Sequence, residues 1–221
     1  NAIVLYTKAI THDPNYTKAY YNRGNTKLNL KDYSGAIVDY EKVITLDPTF
    51  AKAYMYKGFS EMRSNKNEQA ILSFNKAIEL DVSLDGAYLN RGVIYQKSEQ
   101  FDKAIKDFES AIKIKPDYTA FYNKGLCEYK LEKYQVAITS FTEALNINLS
   151  KPEAFENRAK CYLRIQKYQE AIADLNAAIK LNPSIAENFY YRGYAKMEMN
   201  DMNGANVDYA LALHINPTHE S

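Results

Sequence analysis

The sequence predicts an all-α solenoid of antiparallel helix pairs, and three observations predict it. A small residue recurs at Gly24, Gly58, Gly92, Gly125, Ala159 and Gly193, at intervals of 34, 34, 33, 34 and 34 residues. A second small residue keeps step at Ala36, Ala70, Ala104, Ala137, Ala171 and Ala205. Around both rails the recurring positions fall three and four residues apart, the spacing of one helix face and not of a strand. Two rails on one period mean a stack of copies of a small unit, each leaning on its neighbours to bury its apolar face.

Numbering the unit 1 to 34 from Thr17 gives each element in turn. Position 4 is aromatic throughout (Tyr20, Tyr54, Tyr88, Phe121, Phe155, Phe189), and position 24 is Tyr40, Phe74, Phe108, Phe141, Leu175 and Tyr209. Positions 4, 8 and 11 share a face of the first helix; positions 20, 24 and 27 share a face of the second. Gly or Ala at 8, 20 and 27 lets the helices approach closely, and the side chain at 24 fills the space they leave. A glycine inside a helix costs about 1 kcal/mol relative to alanine, so its recurrence at position 8 answers a packing demand. Polar stretches such as residues 29–32 divide the helices, and Pro48, Pro116, Pro183 and Pro217 at position 32 are expected to end the second. The third unit is one residue short: Pro116 reaches Phe121 in five steps, whereas Pro48 reaches Tyr54 in six. A tighter turn and a change of twist are expected after it.

Residues 1–16 fit a second helix alone, with Ala2, Tyr6, Ala9 and Pro14 at positions 20, 24, 27 and 32. The expected organisation is one solenoid over 1–221: a half repeat at 1–16, then repeats at 17–50, 51–84, 85–117, 118–151, 152–185 and 186–219. With no capping helix visible at either end, the chain reads as a piece of a longer protein, and end-to-end self-association through uncapped faces is an expected partner mode.

An aromatic at 4, Gly or Ala at 8, Ala at 20, an aromatic at 24, Ala at 27 and Pro at 32 together resemble the tetratricopeptide repeat (TPR), and the resemblance covers essentially the whole chain. It implies a right-handed superhelix whose first helices line a concave, protein-binding groove. Position 7 departs from the family, where a large apolar residue is usual. Here Arg at 7 accompanies Asp at 23 (Arg23/Asp39, Arg91/Asp107, Arg158/Asp174, Arg192/Asp208), and Lys at 7 accompanies Ser (Lys57/Ser73, Lys124/Ser140). A planar guanidinium suits a carboxylate better than an ammonium does, so ion pairs bridging the two helices are expected. Position 11, often aromatic in the family, is so only at Tyr95 and Tyr162.

Composition excludes several functions. The net charge of +1 gives no bulk attraction to nucleic acid or an anionic membrane, and no apolar run approaches the roughly 20 residues of a membrane span. Cys127 and Cys161, both at position 10, should lie too far apart for a disulfide and point to a reducing compartment, the cytoplasm. His12, His214 and His219 lack metal-ligand spacing, and no cofactor is expected. The sequons at Asn15 and Asn148 read as turns between repeats. No phosphate loop, nucleophile elbow or zinc-protease signature is present, so the segment is not read as an enzyme.

Function is expected in the groove, at positions 2, 5, 6, 9, 12 and 13. Position 6 is Asn at Asn22, Asn90, Asn123 and Asn157. Such a ladder of amides can hold a peptide backbone whatever its side chains, and it resembles the asparagine ladder of the O-linked N-acetylglucosamine transferase. Asn25, Met55, Tyr56, Phe59, Tyr122, Tyr129, Tyr190, Tyr191 and Tyr194 are the further candidate contacts, with Met55, Tyr56 and Phe59 as expected hot spots. Charge is asymmetric. Lys18, Lys52, Arg63, Lys97 and Lys130 lie in the first four repeats; Glu153, Glu156, Glu187 and Glu198 follow, against Lys160 and Arg164. This would orient a ligand. The three-repeat clamp by which co-chaperones bind acidic chaperone C-termini is not matched in any window. The expected function is a scaffold or adaptor binding a partner peptide. The alternatives are the substrate-recruiting arm of a larger glycosyltransferase-like enzyme and a structural subunit of a large assembly.

Overall fold

In the computed structural model, residues 2–217 are described; Asn1 and residues 218–221, which include His219 and the end of the sixth repeat, lie outside them. The described residues form thirteen α-helices. The chain divides into two compact units, Asn1–Lys115 and Pro116–Ser221, and the division falls where the short third repeat ends.

The first unit holds α1 (Ala2–His12), α2 (Thr17–Asn29), α3 (Tyr33–Leu46), α4 (Ala51–Arg63), α5 (Asn67–Leu80), α6 (Asp85–Lys97) and α7 (Phe101–Ile114). The second holds α8 (Tyr118–Lys130), α9 (Tyr134–Ile147), α10 (Pro152–Arg164), α11 (Tyr168–Leu181), α12 (Ala186–Glu198) and α13 (Met202–Ile215). Each helix packs on the next within its unit. First helices of successive repeats also touch, α2 on α4 on α6 and α8 on α10 on α12, whereas no second helices do so among the described residues. The first helices therefore draw together on one side of each stack.

The steric reason for the glycine rail is explicit. A Cβ at Gly24, Gly58, Gly92, Gly125 or Gly193 would lie 2.8–2.9 Å from Cε1 of the ring at position 24. Ordinary carbon–carbon contacts are about 3.5–4.0 Å. Repeat five solves the same problem by the opposite choice: Ala159 carries its Cβ, and position 24 is Leu175, both fully buried. The two positions exchange volume.

Proline is not required to end the second helices. α5 stops at Leu80 before Asp81-Val82, and α9 at Ile147 before Asn148-Leu149, at the same position as the proline-bearing repeats. Position 31 is extended in every repeat and is Asp or Asn in all but the third, with φ of −141° at Asp47, −149° at Asp81 and −148° at Asn148; in the third it is Lys115, which precedes Pro116. The Asp or Asn side-chain oxygen accepts from the N–H and hydroxyl two residues on: Thr49 on Asp47, Ser83 on Asp81, Ser150 on Asn148, Ser184 on Asn182. Such side-chain turns compete with the helix and terminate it. The Asn148 sequon is one of these turns. Between α7 and α8 the link is three residues, 115–117, where the other inter-repeat links have four.

The turn inside each repeat is also uniform. Position 15 is left-handed in all six repeats, at Lys31, Asn65, Glu99, Glu132, Gln166 and Asn200, with φ of 58–64° and no glycine. Cys127 and Cys161 are not joined in a disulfide and are fully buried; burial, reinforced by the charge of Glu128, pushes the Cys161 thiol up to about 12.

Candidate functional site

The position-7 cations staple the repeats from within. Arg158 donates from Nε and Nη2 to the two carboxylate oxygens of Asp174 at 2.8 and 2.7 Å, and from Nη1 to Thr142 on α9. Arg91 does the same to Asp107 and to Asn75, Arg23 to Asp39 and Thr7, and Arg192 to Asp208 and Asn176. Each guanidinium thus ties its own repeat to the second helix of the preceding one. The lysine repeats bring the carboxylate from elsewhere: Lys124 pairs with Glu128 at 2.8 Å, and Lys57 with Glu61 and Glu41. Ser140 and Ser73 donate to those glutamates at 2.6 and 2.7 Å. Positions 7, 11 and 23 therefore vary together. A buried carboxylate sits on the second helix opposite Arg, or on the first helix beside Lys. The loss of the aromatic at 11, legible in the sequence as a departure, is the signal that could have revealed this.

The first-helix face of the first unit is more occupied than its sequence suggests. Tyr21 packs against Phe50 and Tyr56, with ring centres 4.9 and 6.0 Å apart, and Tyr40 stacks on Tyr56. Asn25 is not a free amide, because its Oδ1 accepts from the Tyr40 hydroxyl at 2.8 Å. Met55 and Phe59 pack against the core around Phe74, Leu84 and Ile94, and are half-buried instead of displayed. Asn90 spends one N–H on the Gly86 carbonyl of its own helix; Asn22 is half-buried. Lys18, Lys52, Arg63 and Lys97 are exposed, with Arg63 donating to the Tyr33 hydroxyl. Burial, then the neighbouring Tyr56, raises the Tyr21 hydroxyl above its ordinary value.

In the second unit, Tyr118 and Tyr122 stack at 5.6 Å. Asn157 donates both to the Tyr122 hydroxyl and to the Glu153 carbonyl. Burial, followed by the charges of Glu153 and Glu156, pushes Tyr122 up to about 12. Two carboxylates expected to steer ligands are engaged by the protein: Glu153 accepts from the Tyr118 hydroxyl, and Glu156 from the buried amide of Asn188. Asn123 is half-buried on α8; Lys130 and Glu187 are exposed.

Beyond these contacts the face opens into a pocket of about 400 Å³, lined by Tyr129, Lys160, Leu163, Arg164, Gln166, Tyr168, Tyr190, Tyr191 and Tyr194. Its floor is the core of repeat five, where Leu163 and Tyr191 pack against Ala159, Ala171 and Leu175. Lys160 holds its ammonium 5.4 Å from the centre of the Tyr191 ring. The neighbouring Tyr129 hydroxyl raises the Arg164 pKa above its ordinary value. Tyr168 donates to Glu198, and its ring meets Tyr194 edge-on. The structure thus brings Tyr129, Tyr190, Tyr191 and Tyr194 to one place. Tyr168 and Gln166 were not among the groove candidates because positions 17 and 15 lie off the first helix. The aromatics recurring at position 17 (Tyr33, Phe101, Tyr134, Tyr168) are the signal that could have found Tyr168.

Stacked helix pairs with a tyrosine-rich face define a helical-repeat protein-interaction scaffold. Tetratricopeptide repeat models match residues 17–50, 86–118, 152–185 and 118–151, and a TPR repeat model matches 58–99. The chain belongs to the tetratricopeptide repeat family. Similar solved structures include YrrB, described as a TPR protein with an unusual peptide-binding site, at 26% identity over 81% of this chain and 93% of that one, TM-score 0.78. They also include the C-terminal part of a TPR repeat-containing protein from Cytophaga hutchinsonii (21% identity, 99% and 90% covered, TM-score 0.79) and MamA (18%, 77% and 96%, 0.72). No curated protein matches the chain significantly. Among the described residues no helix is long and apolar enough to cross a membrane.

Proposed function

We propose that the chain binds a peptide segment of a partner protein along its first-helix face, with the tyrosine pocket of the second unit as the anchor. The observation that carries this reading is the pocket itself. Four half-buried tyrosines on two first helices surround a volume that no side chain among the described residues fills. Tyrosine supplies large contact area with a hydrogen-bonding tip at low entropic cost, which is why it is favoured in interfaces. The peptide-binding description of YrrB, the more similar in sequence of the structures above, supports the same reading. The asparagines contribute through the hydrogen-bonding capacity they retain: Asn90 uses one of its two N–H donors internally. A peptide-display selection against the chain, repeated with Tyr191→Ala and Tyr194→Ala, tests it. Selected peptides should bind at least tenfold more weakly to the variants. Binding that is indifferent to both would place the partner elsewhere.

A further inference from the structure

We infer that the tyrosine pocket selects an aspartate or glutamate side chain of the bound segment, held between Lys160 and Arg164. This rests on the peptide-binding reading above and names the ligand chemistry of that site. Lys160 and Arg164 stand four residues apart on α10 and so project from the same face. Like charges at this spacing destabilise a helix. Other half-buried cations of the stack are paired: Arg158 with Asp174, Lys124 with Glu128, Arg192 and Lys196 with Asp208. Lys160 instead holds its ammonium over the Tyr191 ring, and Arg164 lies beside the Tyr129 hydroxyl. An anion between them would supply a counter-charge that no ion pair among the described residues provides, and the planar guanidinium fork fits a carboxylate in two-point contact.

The surroundings favour a carboxylate over a more highly charged group. Glu198 is tied to Tyr168 at the pocket's edge, and the exposed Glu187 lies on α12 within one turn of Tyr190 and Tyr191. These negative groups penalise a phosphate dianion more than a single carboxylate. Tyrosine rings and Leu163 offer apolar surface beside the cations, so the acidic residue should be followed or preceded by an apolar or aromatic one. The face continues from the pocket along α8 and α10 through Tyr122 and Asn157, which suits a carboxylate on a side chain of a chain running past. The cations stand at positions 9 and 13 of one repeat, whereas the co-chaperone clamp spreads its cations over positions 2, 5 and 6 of different repeats.

The test uses the whole chain and a random peptide-display library, followed by titration calorimetry with selected peptides synthesised with amidated C-termini. Selection should enrich Asp or Glu beside an apolar residue. Replacing that acid by its amide, or Arg164→Gln or Lys160→Met in the protein, should each weaken binding about tenfold. The peptide change should cost little more in the Arg164→Gln background, since both remove the same pair. Circular dichroism of the variants should match the parent, neither site lying in the core. Peptides that bind and lose affinity with Tyr191→Ala, but show no acid enrichment and no response to Arg164→Gln, would overturn the carboxylate assignment and leave the groove reading intact. A phosphoserine that binds more tightly than glutamate would overturn it in favour of phosphate. Absence of any selected peptide would overturn both.

Discussion

Replacing Gly125 by alanine tests the volume exchange that sets the distance between helices. In isolation the change gains about 1 kcal/mol of helix propensity. In this fold the new Cβ would stand 2.8, 2.9 and 3.0 Å from Cε1, Cδ1 and Cζ of Phe141, a ring with no exposed surface. Contact at 3.5 Å or more needs a shift of about 0.7 Å, and overpacking of this kind costs about 1–3 kcal/mol. Gly125→Ala should therefore destabilise by about 1 kcal/mol net. Phe141→Leu removes the obstructing ring and recreates the pair found in repeat five, Ala159 with Leu175. In that background Gly125→Ala should become stabilising by about 1 kcal/mol, since only the propensity gain remains. The coupling between the two sites is then about 2 kcal/mol, within the range seen for residues in contact. Urea denaturation of the four proteins gives the cycle, and hydrogen exchange of α8 and α9 locates it, because repeat arrays unfold in segments. An alanine penalty of equal size in the Phe141 parent and in the Phe141→Leu background would refute the argument.

Three further outcomes follow from the geometry. Asp174→Ser leaves Arg158 without its carboxylate and should lose about 2 kcal/mol. Adding Arg158→Lys and Tyr162→Glu installs the arrangement of Lys124, Glu128 and Ser140 and should recover most of it, read as the denaturation midpoint. Glu132 holds φ at 59°; a left-handed residue with a side chain costs about 1–2 kcal/mol, so Glu132→Gly should stabilise by about 0.5 kcal/mol after the unfolded-state entropy of glycine is subtracted. Asp208 and Asp174 should titrate to opposite sides of 3.8. Burial pushes Asp208 up, but hydrogen bonds from Arg192 and Lys196 outweigh it and hold it below. Burial wins at Asp174, which has Arg158 alone, and raises it. The stability contributed by Asp208 is present above 3.8 and is lost as pH falls through its lower folded value, whereas protonation of Asp174 begins above 3.8 and favours the folded state. Carboxyl NMR titration of both residues checks the order.

What the sequence determined by itself is the repeating unit. Period, helix faces and the small-residue rails follow from local spacing, because every copy obeys the same steric rule and six copies display it. The link between Arg at 7 and Asp at 23 was legible for the same reason. Proline at 32 is not the general stop, since in repeats two and four the helix ends at an Asp or Asn at 31 with no proline following. What only the tertiary structure decided is which groove residues are available. Asn25, Glu153 and Glu156 look solvent-facing on a helical wheel, yet Tyr40, Tyr118 and Asn188 reach them from other helices or turns of the stack. Partners across a packing interface leave no periodic trace in a single helix. The pocket likewise needs Tyr129 from α8, Lys160 and Arg164 from α10, Tyr168 from α11 and three tyrosines from α12 at once. That convergence depends on how far each helix pair is rotated against the next, and packing of whole helices sets that rotation.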